Sequence, residues 1–396
     1  MKYLNELNKL NLPKDKYAII GSAALAVRGI RDNEDLDIVV NNKTLDDLKN
    51  RLEYKEKQFT LKIKNTHIEI WKSCPLIKNI DKVIRDSEII NSYRFVKLKY
   101  ILKYKSASNK LRDKKDIKLI QDYLESEKYR KRNKAWWDEV VAIHLKTRGF
   151  YKIDDLKSGK STLRNPEIKE LGNIKNKKIL HLQCHFGLDS ISLALDGANV
   201  TAVDISEKAI TLAKKLSKDI NSSVNFICSD IYNLPMILDD KFDIVFCSYG
   251  VLYWLSDLKI WAKIINNYLK KGGFLYFVDF HPIANVIACD DDYNIIFEQN
   301  YFSTSNKPES WEEERDYANP NYISKNPVYT WKWTVGDLIS SLVEAKLQIE
   351  FFHEFDFCPE KIIENMQKDN KGNWFVPGIK SKIPLLFSLK AKKNIN

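Results

Sequence analysis

The sequence predicts an α/β protein made of two blocks, each with strands and helices in alternation. Short apolar runs, such as residues 177–182, are typical of buried strands and alternate with longer segments of helical periodicity. This alternation indicates a mainly parallel, doubly wound sheet. At 396 residues the chain has room for two or three domains of roughly 100–200 residues. A highly charged stretch at residues 126–139 separates the blocks, which we place at residues 1–130 and 131–396.

The elements of the first block follow from its apolar patterns and turn residues. A short apolar strand runs directly into Gly21 and Ser22, which begin a helix. The next strand alternates acidic and apolar residues, and this period of two places every second side chain on the same face. In chain order we predict strands at residues 17–20 and 35–40, a helix at 45–52, strands at 59–63 and 67–71, and helices over most of 81–124.

The second block repeats the alternation with more strongly apolar strands, which is typical of a parallel sheet. A Gly-Gly pair ends one helix and marks a sharp turn before the fifth strand. In chain order we predict a helix at residues 136–144, a strand at 177–182, a helix at 188–195, a strand at 198–205, a helix at 206–218, strands at 224–230 and 242–248, a helix that ends at 269–273, and a strand at 274–280.

The charge of the chain is unevenly distributed. Residues 1–132 carry 31 Lys and Arg against 19 Asp and Glu, whereas the remaining residues carry 33 against 34. The net charge of +11 therefore comes from the first third, which favours a polyanionic partner there, either nucleotide phosphates or nucleic acid. A lysine-rich surface without a specific partner would give the same counts.

The remaining composition predicts a soluble cytoplasmic protein. The six cysteines form no C-x-x-C pair, which is typical of reduced intracellular thiols rather than of disulfides or a zinc ribbon. The first residues lack the apolar core of a signal peptide. No run approaches the ~18 consecutive apolar residues of a membrane span, and we therefore expect no membrane partner.

Acidic residues that end two strands of the second block predict an edge that binds a nucleoside. In a doubly wound sheet, ligands bind beyond the carboxyl ends of the strands. Asp204 ends the second strand of this block, where it can accept hydrogen bonds from both hydroxyls of a ribose. Asp230 ends the third strand, where it can accept a hydrogen bond from an adenine amine. A simpler role is also open, because Asp204 or Ser206 can cap the following helix.

With this order of elements, nearly all of residues 136–396 resembles the class I S-adenosylmethionine (SAM)-dependent methyltransferases. Residues 181–210, HLQCHFGLDSISLALDGANVTAVDISEKAI, look like a branch that acts on small molecules. The resemblance implies a Rossmann-like fold with SAM as the cofactor, and an aromatic helix that brings His144 and Tyr151 over it. The cofactor contacts that it implies are His181, Gln183, Gly187, Asp204, Ile205, Asp230, Ile231 and Ser248.

The loop after the first strand of this block departs from the family pattern. In the family an acidic residue is followed by G-x-G-x-G, and here only the last glycine remains: the four positions are His181, Gln183, His185 and Gly187. Side chains in this loop limit how closely the backbone approaches a ligand. Two other interpretations are a fold kept only as a scaffold and a metal site that includes Cys184. The lack of a nearby fourth ligand disfavours the metal site.

Candidate catalytic residues follow the fourth and fifth strands of the second block. Methyl transfer is an in-line displacement that depends on alignment, and it needs a base only where the acceptor loses a proton. We predict Tyr249 and His281 as catalytic residues, with His281 as the general base, although a histidine there also suits a helix cap. The segment 290–335, rich in Trp, Tyr and Glu, favours a small polar or cationic methyl acceptor over a nucleic acid.

The first block carries a second acidic pattern. A Gly-Ser turn begins its first core helix, two carboxylates share one face of the next strand, and a third lies on a later strand: Gly21, Ser22, Asp35, Asp37 and Glu69. Neighbouring carboxylates favour divalent cations between them, as in two-metal nucleotidyl transfer. A Gly-Ser turn at a helix N-terminus presents N–H groups to a triphosphate.

Over residues 15–125 this pattern resembles the nucleotidyltransferase superfamily, especially its minimal single-domain members. The resemblance implies a small α/β domain that binds an NTP and Mg²⁺. Asp35, Asp37 and Glu69 would be metal ligands and catalytic residues, and Lys105 is a further candidate phosphate contact beside Gly21 and Ser22.

Two functions stay open for the first block. In the leading hypothesis the chain is bifunctional, with a metal-dependent nucleotidyltransferase-like domain in front of a small-molecule methyltransferase. In the alternative, the basic block is a non-catalytic module that binds nucleic acid or a protein partner and targets the methyltransferase. Nucleic acid is the less favoured partner, because the second block is close to neutral.

Overall fold

The computed structural model describes residues 1–72, 79–108, 110–111, 113–147, 151–290, 294–302, 307–377 and 382–395. It divides into two compact units. The first comprises Met1–Lys128 and Tyr232–Asp239, and the second comprises Tyr129–Ile231 and Asp240–Asn396. The short segment Tyr232–Asp239, which the sequence placed in the second block, thus groups with the first unit.

The first unit contains seven described strands. They are β1 (Tyr17–Ile20), β2 (Leu36–Val40), β3 (Tyr54–Glu56), β4 (Thr60–Ile63), β5 (Ile68–Trp71), β6 (Glu88–Ile90) and β7 (Tyr93–Phe95). Its helices are α1 (Leu4–Asn8), α2 (Ser22–Ala26), α3 (Asn42–Arg51), α4 (Ile80–Arg85), α5 (Leu98–Ser108) and the first part of α6 (Asp113–Lys146), with a 3₁₀ turn at Leu234–Met236.

The sheet of the first unit is mixed. Its strand order is β3-β4-β5-β2-β1-β7-β6, and antiparallel pairs outnumber the two parallel pairs, β2 with β5 and β1 with β7. The prediction of a mainly parallel sheet is therefore wrong for this unit. The hairpin of β6 and β7 also lies inside the region 81–124 that the sequence predicted as helical, because strands of three residues leave too short a periodic pattern to read.

The second unit begins within α6. Its further helices are α7 (Ile153–Lys157), α8 (Asn165–Leu171), α9 (Leu188–Leu195), α10 (Glu207–Asp219), α11 (Leu258–Tyr268) and α12 (Val335–Glu344). Its strands are β8 (Lys178–Leu182), β9 (Asn199–Asp204), β10 (Val224–Cys228), β11 (Phe242–Ser248), β12 (Leu269–Phe280), β13 (Ile287–Cys289), β14 (Ile295–Phe297), β15 (Glu309–Trp311), β16 (Val328–Thr330), β17 (Leu347–Phe355), β18 (Gln367–Lys368), β19 (Trp374–Phe375) and β20 (Leu386–Lys393).

The main sheet of the second unit has the doubly wound topology that the sequence predicted. Its order is β10-β9-β8-β11-β12-β20-β17, with parallel pairing from β10 to β12 and antiparallel pairing of β20 with both neighbours. The chain moves outward from β8 to β10 and returns to β11 on the other side of β8. Ligands of such sheets bind where the order reverses, at the carboxyl ends of the strands. A ligand site is therefore expected at this edge of the sheet.

Side-chain caps and apolar packing explain why these helices and strands form. Ser206 begins α10 by accepting a hydrogen bond from the N–H of Ala209 at 3.0 Å, and Asp257 caps α11 in the same way at Ile260. The strands β8, β11 and β12 are buried along most of their length, as expected for the centre of a sheet covered on both faces. Fully buried rings such as Trp261 pack there.

The fifth strand begins earlier than the sequence predicted. Residues 269–273, expected as a helix end and turn, are part of β12. Gly273 explains the close pairing, because a Cβ atom there would lie 2.8 Å from the carbonyl oxygen of Asp243. Among the described helices, none has the length and apolar character needed to cross a membrane.

Candidate active site

The site of the second unit is built on Asp204, the last residue of β9. Its side chain is buried, and its two oxygens accept hydrogen bonds from the backbone N–H groups of His185, at 2.8 Å, and Ser206, at 2.9 Å. Burial raises the pKa of Asp204 to about 6. A carboxylate accepts at about four lone-pair positions, so these bonds leave acceptor capacity for two hydroxyl groups of a ligand.

The loop between β8 and α9 keeps the backbone shape of a glycine-rich loop without its glycines. Gln183, His185 and Gly187 all have positive φ, at 56°, 50° and 80°. The left-handed region is normally reserved for glycine, because other residues meet steric strain there. The missing glycines, which the sequence suggested would impair the loop, are therefore replaced by residues that adopt the same conformation.

Gln183 offers this loop a polar atom for a ligand. Its amide nitrogen donates to the carbonyl of Val251 at 3.3 Å, which joins the loop to the segment after β11. Its side-chain oxygen is buried and has no hydrogen-bond partner among the described residues. A buried acceptor in this state is costly, and a ligand donor would relieve the cost.

His181 lies at the position that is acidic in the family pattern, and it faces the interior. Its ring is buried, with Nδ1 2.8 Å from the hydroxyl of Ser190 and Nε2 3.5 Å from that of Ser248. Burial lowers the pKa of His181 to about 4, so the ring is neutral. Ser248 in turn donates to Asp189 at 2.9 Å. His181 and Ser248 thus hold β8, β11 and α9 together beneath the loop.

Asp230 is held by an arginine that the sequence did not single out. Nε of Arg130 donates to Oδ2 of Asp230 at 2.7 Å, and both side chains are almost fully buried. Arg130 also donates to Ser256 at 2.9 Å. The Asp230 carboxylate therefore has a cationic partner beside the position predicted for an adenine amine. Ile205 and Ile231 directly follow the two acids, and Ile231 is buried.

A hydrogen-bonded network of ring side chains borders the loop. His144 on α6 lies 2.7 Å from Asp316 through Nε2, and its Nδ1 lies 3.2 Å from Nε2 of His185 and 3.1 Å from the Tyr151 hydroxyl. Burial, followed by the proximity of His144, lowers the pKa of His185 well below its ordinary value. His144 and Tyr151 thus contact His185 in the loop after β8, and their approach to a cofactor stays a prediction. Asp316 lies more than 100 residues away in sequence, and no local pattern marks it.

Tyr249 directly follows β11 and points its hydroxyl at a buried acid. The hydroxyl donates to Oε2 of Glu167 on α8 at 2.8 Å. Burial, with a smaller contribution from the Asp189 carboxylate, raises the pKa of Glu167 to about 7. The backbone of Tyr249 has a φ of 43°. Glu167 is a site residue that the sequence did not reveal, because it lies outside every strand end and motif.

Asp279 fixes the turn that carries Tyr249. Its buried carboxylate accepts hydrogen bonds from the N–H groups of Gly250, Val251 and Leu252, at 2.5, 2.9 and 2.8 Å. Burial raises the pKa of Asp279 to about 6, although the hydrogen bonds from these N–H groups act to lower it. The segment after β11 is therefore held by three hydrogen bonds to one side chain.

His281, predicted as the general base, caps a turn. Its Nδ1 accepts a hydrogen bond from the N–H of Ile283 at 3.1 Å at the start of a 3₁₀ helix, Pro282–Asn285. Its Nε2 lies 3.1 Å from a carboxylate oxygen of Glu354. Burial lowers the pKa of His281. Nδ1 thus caps the turn, whereas the buried Nε2 lies near Glu354 without a hydrogen-bond partner in the described part of the chain, and the role of His281 as a base stays a prediction.

The structure places the acidic residues of the first unit on neighbouring strands. Asp37 on β2 is directly paired with Glu69 on the parallel strand β5. The hydroxyl of Ser22 donates to Asp35 at 3.2 Å, and a Cβ atom on Gly21 would lie 2.5 Å from Oδ2 of Asp37. The Gly-Ser turn and the three predicted carboxylates are thus brought together.

Asp37 and Glu69 already have polar partners within the first unit. Trp71 donates to Asp37 at 3.1 Å, and Lys57 forms an ion pair with Glu69. Burial and then the charge of Asp35 raise the pKa of Asp37 to about 7. Within the described ranges, no group of three or more His, Cys, Asp or Glu side chains is close enough to hold a metal ion.

Lys105, predicted as a phosphate contact, is held by two acids. Its ammonium lies 2.7 Å from Asp113 and 2.8 Å from Asp116, and its side chain is about one-tenth exposed. Arg31 binds the same Asp116 at 2.6 Å. In this arrangement Lys105 neutralises the start of α6.

Comparison with known proteins gives a family match that falls mostly in the second unit. Residues 180–277 match the family model described as a methyltransferase domain. The ubiquinone biosynthesis O-methyltransferase of Hydrogenovibrio crunogenus is 31% identical over 146 residues, which cover 36% of this chain and 54% of that protein. An uncharacterized protein of Haemophilus influenzae is 27% identical over 241 residues, covering 56% of this chain and 84% of that protein.

One solved structure is reported among those similar to the chain. It is the S-adenosylmethionine-dependent methyltransferase of Mesorhizobium loti, at 19% identity and a TM-score of 0.41, covering 58% of this chain and 96% of that one. The family model agrees with the predicted methyltransferase domain over residues 180–277. The chain spans little more than half the length of the Hydrogenovibrio relative.

Gly187 provides a test of the loop. A Cβ atom there would lie 2.6 Å from the ring of Phe226 on β10, whereas a Cβ atom on Gly159, at a similar φ of 84°, would meet nothing within 4 Å. Both Gly→Ala variants carry the strain of positive φ, of about 1–2 kcal/mol, and only Gly187→Ala adds overpacking, of about 1–3 kcal/mol.

We therefore expect Gly187→Ala to unfold at lower urea concentration than Gly159→Ala. Eight of the nine tryptophans belong to the second unit, so their fluorescence follows its unfolding. Equal urea midpoints for the two variants would contradict the close contact with Phe226.

Proposed function

We propose that the second unit is a SAM-dependent methyltransferase that acts on a small molecule. The observation that carries this proposal is the Asp204 carboxylate, buried at the carboxyl end of β9 and bonded to the N–H of His185 in the loop after β8. This is where a doubly wound sheet binds the ribose of a nucleotide-like cofactor. The methyltransferase family match covers the same residues.

The residues of this edge fit the polar groups of SAM. Asp204 has acceptor capacity for the two ribose hydroxyls, and the unpaired oxygen of Gln183 suits an ammonium or hydroxyl donor. The rings of His144, Tyr151 and His185 border the same loop. When bound, SAM supplies a methyl group on a positively charged sulfur. The chain's own part is to align an acceptor with that methyl and to exclude water.

The methyl acceptor of this proposal is a small molecule bound beside Tyr249. The name of the Hydrogenovibrio relative brings oxygen into consideration as the methylated atom. The near-neutral charge of the second block supports a small acceptor over a nucleic acid, whose binding requires several basic contacts.

Titration calorimetry with SAM and S-adenosylhomocysteine tests the cofactor. We expect both to bind wild-type protein, and Asp204→Asn to bind at least about tenfold more weakly, because hydrogen bonds to a charged group contribute about 1.5–3 kcal/mol each. The exposed Asp219→Asn, at the end of α10, is the matched control and should bind like wild type. If folded wild-type protein binds neither compound, or if both variants bind like wild type, this proposal is wrong.

We propose as a second function that the first unit binds an NTP with Mg²⁺, in the manner of a nucleotidyltransferase. The adjacency of Asp37 and Glu69 on paired strands, with Asp35 and the Gly-Ser turn beside them, supports it. Asp35, Asp37 and Glu69 would hold the metal after Lys57 releases Glu69 and the three carboxylates move closer together, because in the described residues they are not grouped closely enough to bind an ion. The N–H groups that follow Gly21 would face the phosphates.

Calorimetry of ATP with and without MgCl₂ tests this second function on the full chain. We expect ATP to bind only when Mg²⁺ is present. The double variant Asp35→Asn/Asp37→Asn should lose this binding, because it lacks two of the carboxylates that would attract the ion. The exposed Asp46→Asn on α3 is the control. ATP binding that is equally strong without Mg²⁺, or equally strong in the double variant, would contradict the proposal. Salt-sensitive binding of RNA in place of ATP would instead favour the non-catalytic basic module.

A further inference from the structure

Two acidic side chains lie at the end of β11 in the second unit, one bonded to Tyr249 and one to Ser248. Glu167 accepts the hydrogen bond of the Tyr249 hydroxyl at 2.8 Å, and Asp189 accepts one from Ser248, the preceding residue, at 2.9 Å. The guanidinium of Arg164 lies 5.6 Å from the centre of the Tyr249 ring, and it donates to the carbonyl of Pro359 at 3.3 Å, next to Glu360. We call Tyr249, Glu167, Asp189, Glu360 and Arg164 the acidic pocket.

One carboxylate oxygen of the acidic pocket has no hydrogen-bond partner in the part of the chain that the structure describes. Glu167 is completely buried, its Oε2 is taken by Tyr249, and its Oε1 has no hydrogen-bond partner among the described residues. An unsatisfied carboxylate oxygen in the interior costs the full penalty of desolvation. A bound ligand with a hydrogen-bond donor, or a proton, would remove that penalty.

The pocket also has space beside it. Gly250 follows Tyr249, and a Cβ atom built on it would meet no heavy atom within 4 Å. The same turn is fixed from below by Asp279, so the space does not result from a loose loop. The open space at the turn that follows Tyr249 is where the proposed acceptor would approach.

The charges of the pocket favour a cation. Its three carboxylates face one guanidinium, that of Arg164. Two hydroxyl groups satisfy Asp189, those of Thr162 and Ser248. Burial raises the pKa of Glu167 and of Glu360 to about 7 in each case, so near neutral pH both are partly ionised. A ligand that brings a positive charge stabilises the ionised forms, whereas an anionic ligand opposes them.

We propose that the methyl acceptor is an amine, which enters the acidic pocket as its ammonium form and loses a proton to Glu167 through the Tyr249 hydroxyl before it is methylated. This inference rests on the proposed methyltransferase function and names the class of its substrate. It adds Glu167 to the reaction, as the residue that stores the proton.

The proton and electron count of the step is simple. One N–H proton of the ammonium moves to the Tyr249 oxygen as the Tyr249 proton moves to Oε2 of Glu167, which leaves a neutral amine with a lone pair. That lone pair forms the new N–C bond to the methyl group of SAM. The S–C bond breaks, and its electron pair stays on sulfur as the neutral thioether of S-adenosylhomocysteine. The methylated ammonium leaves, and Glu167 returns its proton to solvent.

The acidity of the acceptor group distinguishes an amine from a phenol or an aliphatic alcohol as the substrate of this proton relay. An alkyl ammonium has a pKa close to that of lysine, about 10.4, and lies within a few pKa units of Glu167. A phenol has a similar pKa, but its anion would form among three carboxylates. An aliphatic alcohol is much less acidic than either. The amine alone gives a neutral nucleophile and a charge that the pocket attracts.

The experiment uses the full chain loaded with S-adenosylhomocysteine and follows thermal melting with two matched pairs: 2-phenylethylamine with 2-phenylethanol, and ethanolamine with ethylene glycol. We expect an amine to raise the melting temperature more than its hydroxyl partner in at least one pair. Glu167→Gln, which keeps an acceptor for Tyr249, should abolish this preference, and Tyr249→Phe should reduce it. Glu344→Gln, on the surface of α12, should retain it.

Turnover with the preferred amine gives a second readout. In wild-type protein the rate should rise with pH through about 7, since Glu167 accepts a proton only above its pKa, and in Glu167→Gln this rise should disappear. The charged and titratable groups that face Glu167 are Tyr249, Asp189, Arg164 and Tyr276.

The outcomes separate this inference from the function it rests on. If S-adenosylhomocysteine does not raise the melting temperature, both proposals fail. If it does, but neither amine exceeds its hydroxyl partner, or the preference survives in Glu167→Gln, the methyltransferase stands and the amine is wrong.

Discussion

Buried carboxylates that accept backbone N–H groups hold the candidate active site of the second unit in place. Asp204 binds the loop after β8, and Asp279 binds the turn after β11. Both loops lie at the carboxyl ends of parallel strands, where the sheet itself offers no further pairing. A charge-assisted hydrogen bond is stronger than one between neutral groups, and it is stronger again in a buried setting. The positions of Gln183 and Tyr249 follow from these two side chains.

The sequence was sufficient to predict those features of the second unit that repeat locally. Strands of the parallel sheet show as apolar runs, and Asp204 is recognisable because it ends such a run before a capped helix. Glu167, Asp279 and Asp316 act across 82, 27 to 29 and 172 residues, and a partner at that distance leaves no mark in a short window. His281 shows the opposite case. Its type and place suggest a base, and only its hydrogen bonds reveal a cap.

In the first unit, the spacing of the acidic residues was a better guide than the alternation of elements. The period of two predicted a shared face only for Asp35 and Asp37, and the pairing of Asp37 on β2 with Glu69 on β5 is seen only in the structure. The direction of the strands could not be predicted, because antiparallel and parallel connections of short strands share the same apolar pattern. The role of Lys105 also depended on contacts beyond its own segment, since Asp113 and Asp116 neutralise it. Its charge in the sequence therefore overstated what it offers a phosphate.

Gln183 and His185 have the positive φ angles that are usual for glycine, so the conformation of this loop does not depend on glycine alone. A side chain in this conformation carries roughly 1–2 kcal/mol of strain, which outside contacts must offset. Gln183 binds Val251, and His185 binds Asp204 and His144. The loop is thus shaped by its surroundings. A loop that is shaped by its neighbours in this way would be missed by a search for the glycine pattern alone.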